Sequence, residues 1–284
     1  NNRIAKTLEI LDKDLKKQNE LYKPTSFWIN LSKEFNKILI NKGLKNFRQG
    51  KLANNFFVPL YHHYREKNIT DLKKFSKKNI FSKKIKFLVK DLIDGKNEAF
   101  SDFRVFKAGD NILKKPYLHK FSENNFGNPL EKFKFGNKIY SKSSLNYLLG
   151  LTLLKQNSKN FIPNTVLEIG GGYGVLGEIL RYSGIKKFKY INIDLPPLSY
   201  VTENYLKKSY GSKNVSGYLD TRKLKKININ NLKRGSLLCS WQIEKLRGKI
   251  DLFVNFISFQ EMEPHVVKNY LLKVLKLNPK YILL

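Results

Sequence analysis

Between Val166 and Gly174 the chain reads Val166-Leu167-Glu168-Ile169-Gly170-Gly171-Gly172-Tyr173-Gly174, an apolar strand joined through one carboxylate to a turn with four glycines in five positions. Glycine permits positive φ and lets a ligand lie against the main chain with no Cβ in between. Val175-Leu176 with Glu178-Ile179-Leu180 then reads as a helix whose first N–H groups point back at the turn. That arrangement suits a nucleotide-type ligand. A second carboxylate, Asp194, ends the β-branched and aromatic run Lys189-Tyr190-Ile191-Asn192-Ile193-Asp194-Leu195, twenty positions past Gly174. An acid at the end of the second strand can accept hydrogen bonds from both hydroxyls of a ribose. The competing role for Asp194 is a helix cap, because Pro196-Pro197 places proline in the first turn of the helix that follows.

Two ligand classes compete for the turn. Gly172-Tyr173-Gly174-Val175-Leu176-Gly177 satisfies the dinucleotide pattern G-x-G-x-x-G. In that fold, however, the first glycine closes the turn directly after the strand, so the count starts at Gly170, and Val175 then stands where the third glycine belongs. Farther on, Val215 to Leu219 reads as a third strand ending at Asp220, whose carboxylate either accepts an adenine amino group or caps the next turn. Lys249 to Phe256 reads as the fourth strand and leads into Ser258-Phe259-Gln260-Glu261-Met262-Glu263-Pro264-His265.

These strands need a scaffold, and 284 residues suffice for one large or two modest domains. A hydrophobic fraction of 41% argues against disorder. No apolar run reaches the ~18 residues of a membrane-spanning helix. The first residues, Asn1-Asn2-Arg3-Ile4, carry no signal-peptide core, and the lone Cys239 fits a compartment without disulfides, so the expected location is the cytoplasm. A net charge of +31 raises the possibility of a nucleic-acid partner. Lysines are nevertheless scattered in pairs such as Lys16-Lys17 and Lys225-Lys226, and arginine is sparse, so no specific nucleic acid is expected.

Ahead of the glycine turn the pattern is mostly helical. Ile4, Leu8, Leu11 and Leu15 have helical spacing, and a second helix runs from Ser26, read as its N-cap, to Gly43. Two more are expected, from Val58 to Lys67 with Pro59 in its first turn, and from Ile85 to Leu92 closed by Gly95. Asn97 to Asn137 reads as loops and short strands, and Ser143 to Leu154 as the helix before the glycine-bearing strand. His62 and His63 are adjacent, so they point to different faces of a helix and make poor joint metal ligands. Phe57, Tyr61 and Tyr64 are spaced for helix packing.

Taken together, Glu168 to Gly174, Asp194-Leu195-Pro196, and Asn255 with Ser258-Phe259-Gln260-Glu261-Met262 resemble the sugar O-methyltransferase family of bacteria. The resemblance is strongest over residues 140 to 284. It implies a Rossmann-like α/β fold of the class I methyltransferase type, with S-adenosyl-L-methionine as donor and a sugar or glycan hydroxyl, in polysaccharide biosynthesis, as acceptor. On matching motifs Glu168, Gly170, Gly171, Gly172, Tyr173, Gly174, Asp194, Leu195, Asp220 and Asn255 would carry the cofactor. The expected organisation is a helical region at 1–139, serving as lid, substrate-binding or dimerisation element, and a methyltransferase domain at 140–284. The class has seven strands, and Tyr281-Ile282-Leu283-Leu284 reads as the start of the fifth. A fragment with an exposed sheet edge is therefore expected.

Methyl transfer from a sulfonium to a sugar hydroxyl needs the acceptor oxygen positioned and its proton removed. Glu261 and His265 are the candidate bases, because they sit just past the fourth strand and a spacing of four puts them on one helical face if the helix begins early. Gln260 and Asn255 are candidates for orienting acceptor or cofactor. The plainer reading leaves Glu261 or Glu263 favouring a helix N-terminus and His265 in solvent. No metal is implied. The alternatives are a nucleic-acid methyltransferase or binding module and a nicotinamide-dependent Rossmann enzyme.

Overall fold

The computed structural model describes residues 2–49 and 82–284, together with positions 71 and 74. The expected helix from Val58 to Lys67, the His62-His63 pair and the spacing of Phe57, Tyr61 and Tyr64 lie outside the described residues.

Helices α1 (Asn2–Lys16) and α2 (Ser26–Lys42) follow the expected spacing, with Leu8, Leu11, Phe35 and Leu39 buried. Thr25 rather than Ser26 occupies the N-cap of α2, and Gly43 at φ +66° ends it. Ser82 caps α3 (Lys83–Ile93), its hydroxyl accepting from the Ile85 N–H at 3.3 Å. The first part of the stretch 97–137, expected to be loops and short strands, is instead α4 (Lys96–Gly109), which starts at Gly95 in the left-handed region; the remainder is irregular with short elements, as expected. Its packing signal was present in Ala99, Phe103 and Phe106, at i, i+4 and i+7, but thinned by intervening Asn, Ser and Asp. The antiparallel pair β1 (Phe133–Phe135) and β2 (Lys138–Tyr140) leads into α5 (Lys142–Asn157). A Ser141/Ser144 capping box starts that helix.

From Thr165 on, the chain is an α/β unit with a Rossmann-like parallel sheet. β3 (Thr165–Ile169), α6 (Val175–Tyr182), β4 (Lys189–Asp194) and α7 (Leu198–Tyr210) occur where the alternation of apolar runs and turn residues places them. The third strand does not. β5 is only Val215–Ser216, because the chain turns at Gly217 into the short helix α8 (Tyr218–Thr221). A strand that the sequence reading passed over, β7 (Gly235–Cys239), lies between β4 and β5 and is buried throughout. A short parallel pair, β6 (Ile227–Asn228) with β8 (Leu246–Arg247), stands apart from the sheet. β9 (Leu252–Val254), α9 (Pro264–Leu275) and β10 (Tyr281–Leu283) complete it, with β10 at the edge.

The strand order is β10-β9-β3-β4-β7-β5, all neighbours parallel. The chain moves outward from β3 first toward β4 and β7, and later in the opposite direction through β9 to β10. The reversal falls between β3 and β9, and at such a switch point the loops beyond the strand ends part to leave a crevice. The sheet interior is continuous apolar packing, including Leu167, Ile191, Leu237 and Phe253, as strands covered on both faces require. Among the described residues no helix is long and apolar enough to cross a membrane.

Candidate functional site

A cavity of about 320 Å³ opens at the carboxyl ends of β3, β4 and β7. The glycine turn forms one wall. Gly170, Gly172 and Gly174 stand at φ +69°, +58° and +92°, the left-handed conformations for which glycine is needed. The turn is also tightly backed. A Cβ on Gly170 would fall 2.2 Å from Ser258 Oγ, and one on Gly171 would fall 2.3 Å from Glu168 Oε2. The main chain is pinned by Gly170 N–H donating to Ile193 O at 2.8 Å and by the Thr202 hydroxyl, which donates to Gly172 O.

Gly170, Gly171, Gly172, Tyr173, Asp194 and Leu195 all line the cavity, so the structure brings together these predicted residues. Asp194 is 7% exposed; its Oδ2 accepts from Gly172 N–H at 3.1 Å and its Oδ1 from Leu195 N–H at 2.7 Å. Burial pushes its carboxyl up to about 8, against those two hydrogen bonds and with the charges of Glu168 and Glu261 adding to the rise. Gly174 serves the turn from behind as the N-cap of α6.

Several expected site residues are elsewhere. Glu168 does not line the cavity. It lies buried beneath the turn, where Tyr147 OH donates to Oε1 at 2.5 Å and Tyr190 OH donates to Oε2, and desolvation lifts it to about 7. Its role is to support the turn. Asn255 is a clamp: its Nδ2 donates to Ile169 O at 3.0 Å and Ser258 Oγ at 2.7 Å, and its Oδ1 accepts from Phe259 N–H. Asp220 is exposed at the third position of α8, where its Oδ2 accepts from Gly217 N–H at 2.8 Å. Early termination of β5 moved it there, so the capping alternative is the one realised. Gln260 is exposed and does not line the cavity.

The two candidate bases separate. Residues Ser258–Glu261 form a turn of 3-10 helix, and α9 begins only at Pro264, so Glu261 and His265 do not share a helical face. Glu261 is also exposed but lines the cavity, and partial desolvation raises its carboxyl above the ordinary value. His265 is exposed and does not line it.

The opposite wall comes from the N-terminal region, which the sequence did not place. Asp14 anchors it by accepting from Tyr218 OH at 2.6 Å and from both Arg222 Nε and Nη2. Tyr22 anchors it again, donating from its hydroxyl to Glu244 at 2.8 Å while its carbonyl accepts from Ser240 Oγ at 2.7 Å. Between and beyond these anchors Leu21, Lys23, Thr25, Phe27 and Trp28 face the cavity. Phe27-Trp28 was the local signal available, an aromatic pair in the first turn of α2; nothing local says what it packs over. Among the described residues lining the cavity Lys23 is the single basic one, and its ammonium pairs with Glu20 at 2.7 Å; the acidic ones are Asp194 and Glu261.

The fold and the turn thus define an α/β protein with a Rossmann-like parallel sheet and a cavity beside a glycine-rich turn at its switch point. No protein-family model, curated protein or solved structure matches the chain.

Proposed function

We propose that the protein is an S-adenosyl-L-methionine-dependent O-methyltransferase acting on a sugar hydroxyl. The observation that carries the reading is the charge that the described residues give the cavity beside the glycine turn: a carboxylate, Asp194, whose burial disfavours ionisation, a second, exposed one, Glu261, whose partial desolvation also raises it, one lysine and no arginine. A cationic sulfonium nucleoside relieves that arrangement. A dinucleotide would bring a pyrophosphate to a wall whose described residues include no arginine and one lysine, so the same observation weighs against the nicotinamide reading. It weighs likewise against a nucleic-acid groove, which needs clustered cations.

On this reading the main chain of Gly170–Tyr173 and the Asp194 carboxylate hold the cofactor, Asp194 accepting from the ribose hydroxyls. When bound, S-adenosylmethionine supplies an electrophilic methyl group for transfer to oxygen. Glu261 takes the proton of the acceptor hydroxyl, and its raised proton affinity makes it a stronger base than an ordinary surface carboxylate. Trp28 and Phe256 offer aromatic faces on which the C–H face of a sugar ring can pack. The sugar itself rests on the resemblance of Glu168–Gly174, Asp194–Pro196 and Ser258–Met262 to sugar O-methyltransferases.

Calorimetry tests the reading. S-adenosylmethionine is expected to bind the wild-type protein and not Gly172→Val, in which a β-branched residue would have to adopt φ +58°. Absence of binding heat in the wild type, or NADH binding by fluorescence titration in its place, would overturn it. A donor-labelled assay against nucleotide sugars and glycan extracts then identifies the acceptor.

A further inference from the structure

Within Gly170–Gly174 the only side chain is that of Tyr173. Glycine has more backbone freedom to lose than any other residue, so a turn this rich in it depends on its contacts for its shape, and a ligand that must order it binds more weakly than one meeting it preformed. What holds Tyr173 therefore bears on how well the turn binds.

Tyr173 is 2% exposed, with the Arg48 guanidinium 4.1 Å from its ring centroid and Tyr205 edge-on at 5.0 Å. Its hydroxyl donates to Glu123 Oε1 at 2.8 Å and accepts from Arg48 Nη2 at 3.0 Å. Arg48 Nη2 also donates to Glu123 Oε1, and Glu123 Oε2 accepts from the Ser141 hydroxyl at 2.6 Å. Arg48 and Glu123 are nearly fully buried. Burial alone would lower the proton affinity of the guanidinium, and the Glu123 carboxylate with the Tyr173 and Tyr205 hydroxyls more than offsets it. Arg48 N–H in turn donates to Gly127 O at 3.0 Å, tying the loop after α2 to the loop before β1. Neither Arg48 nor Glu123 lines the cavity. Both precede the parallel sheet in sequence, and they meet the turn at Tyr173, its one side chain, where the other contacts that pin the turn engage its main chain.

We infer that Arg48 and Glu123 are positioning residues that hold the glycine turn in its ligand-binding shape through Tyr173, so that the N-terminal region completes the cofactor site. The inference rests on the reading of this turn as the S-adenosylmethionine site. A neutral apolar pack around Tyr173 would bury it equally well; a fork of charged hydrogen bonds fixes the position of its hydroxyl as well.

Tyr173→Phe removes one oxygen and leaves the Arg48–Glu123 pair; Arg48→Lys keeps the charge and loses the planar stack. Two measurements are made on each, hydrogen exchange of the Gly170–Gly174 amides in ligand-free protein and calorimetric affinity for S-adenosylmethionine below the melting temperature. In both variants turn exchange is expected to quicken while the amides of β4 keep wild-type rates. Affinity is expected to fall about tenfold, equivalent to about 1.4 kcal/mol. A merely structural role would lower the melting temperature and leave turn exchange and affinity as they were, and that result overturns the inference. If the wild type binds no S-adenosylmethionine, the proposed function fails and turn exchange alone decides the inference. If Arg48→Lys does not fold, Tyr173→Phe decides it.

Discussion

Asp194 stands where the cavity's charge and its expected ligand meet. Burial pushes its carboxyl from 3.8 to about 8, even though two backbone N–H groups donate to it. Ribose hydroxyls donate hydrogen bonds to the ionised form, so binding a nucleoside is expected to draw the proton off. With a free carboxyl near 8, about one molecule in a hundred is ionised at about pH 6 and about nine in ten at about pH 9. Affinity for the nucleoside is therefore expected to rise by about two orders of magnitude over that interval, with release of a proton. The clean ligand is 5′-methylthioadenosine, because it lacks the α-amino group that itself titrates near about 8. Calorimetry in two buffers of different ionisation enthalpy reads both affinity and proton release.

The same residue also sets a slope in stability. Its folded proton affinity lies above the unfolded value, so its contribution is fully present below about pH 4 and is lost as pH rises through about 8. A rise of about four units corresponds to roughly 6 kcal/mol. Asp194→Asn carries no charge and keeps one acceptor for the two N–H donors, at a cost of about 1–3 kcal/mol for the unpaired one. Ligand-free Asp194→Asn is thus expected to be more stable than wild type at about pH 9 and to bind nucleoside weakly, with no dependence on pH. An affinity flat to within about twofold between about pH 6 and pH 9, or a variant retaining the wild-type slope, would refute the coupling.

Gly170→Ala combines left-handed strain of about 1–2 kcal/mol with overpacking of about 1–3 kcal/mol against Ser258, so a loss near 3 kcal/mol is expected in the denaturant midpoint. An unchanged midpoint would show that the turn relaxes freely. Glu261→Gln is expected to lower methyl transfer by about two to four orders of magnitude with donor affinity intact, whereas His265→Ala leaves both unchanged; the reverse pattern in a donor-labelled assay would reassign the base. Trp28→Ala is expected to raise the acceptor KM about tenfold while sparing donor affinity. A loss of donor affinity instead would place Trp28 on the cofactor.

What was legible in the sequence was what residue type encodes locally. Glycines after an apolar strand and an acid at the end of the next one dictate a backbone shape and a carboxylate at a known edge, and Gly170–Tyr173 with Asp194 meet in the structure as that logic requires. Phase was harder. Whether Glu261 and His265 share a face depends on where one helix begins, and its start at Pro264 turns them apart. Asp220 moved out of the site because β5 ends after two residues. β7 escaped notice because Gly235-Ser236 reads as a turn and only three residues follow before the next Ser.

Glu168 shows a different limit. Its type and position were legible, but its function depends on hydroxyls from Tyr147 and Tyr190, which lie 21 residues before it and 22 after. No periodicity links residues at such separations; they meet only once α5 and β4 have packed around β3. The same holds more strongly for Tyr22 with Glu244 and for Asp14 with Arg222, more than two hundred positions apart. These pairings lay the N-terminal segment over the sheet edge and bring Lys23 to the cavity that Asp194 and Glu261 line. On local grounds the glycine motif leaned toward a sulfonium nucleoside, because Val175 stands where a dinucleotide turn has its third glycine. The charge balance around the turn is a tertiary property, set by Asp194, Glu261 and a segment whose sequence carries no trace of the surface it covers.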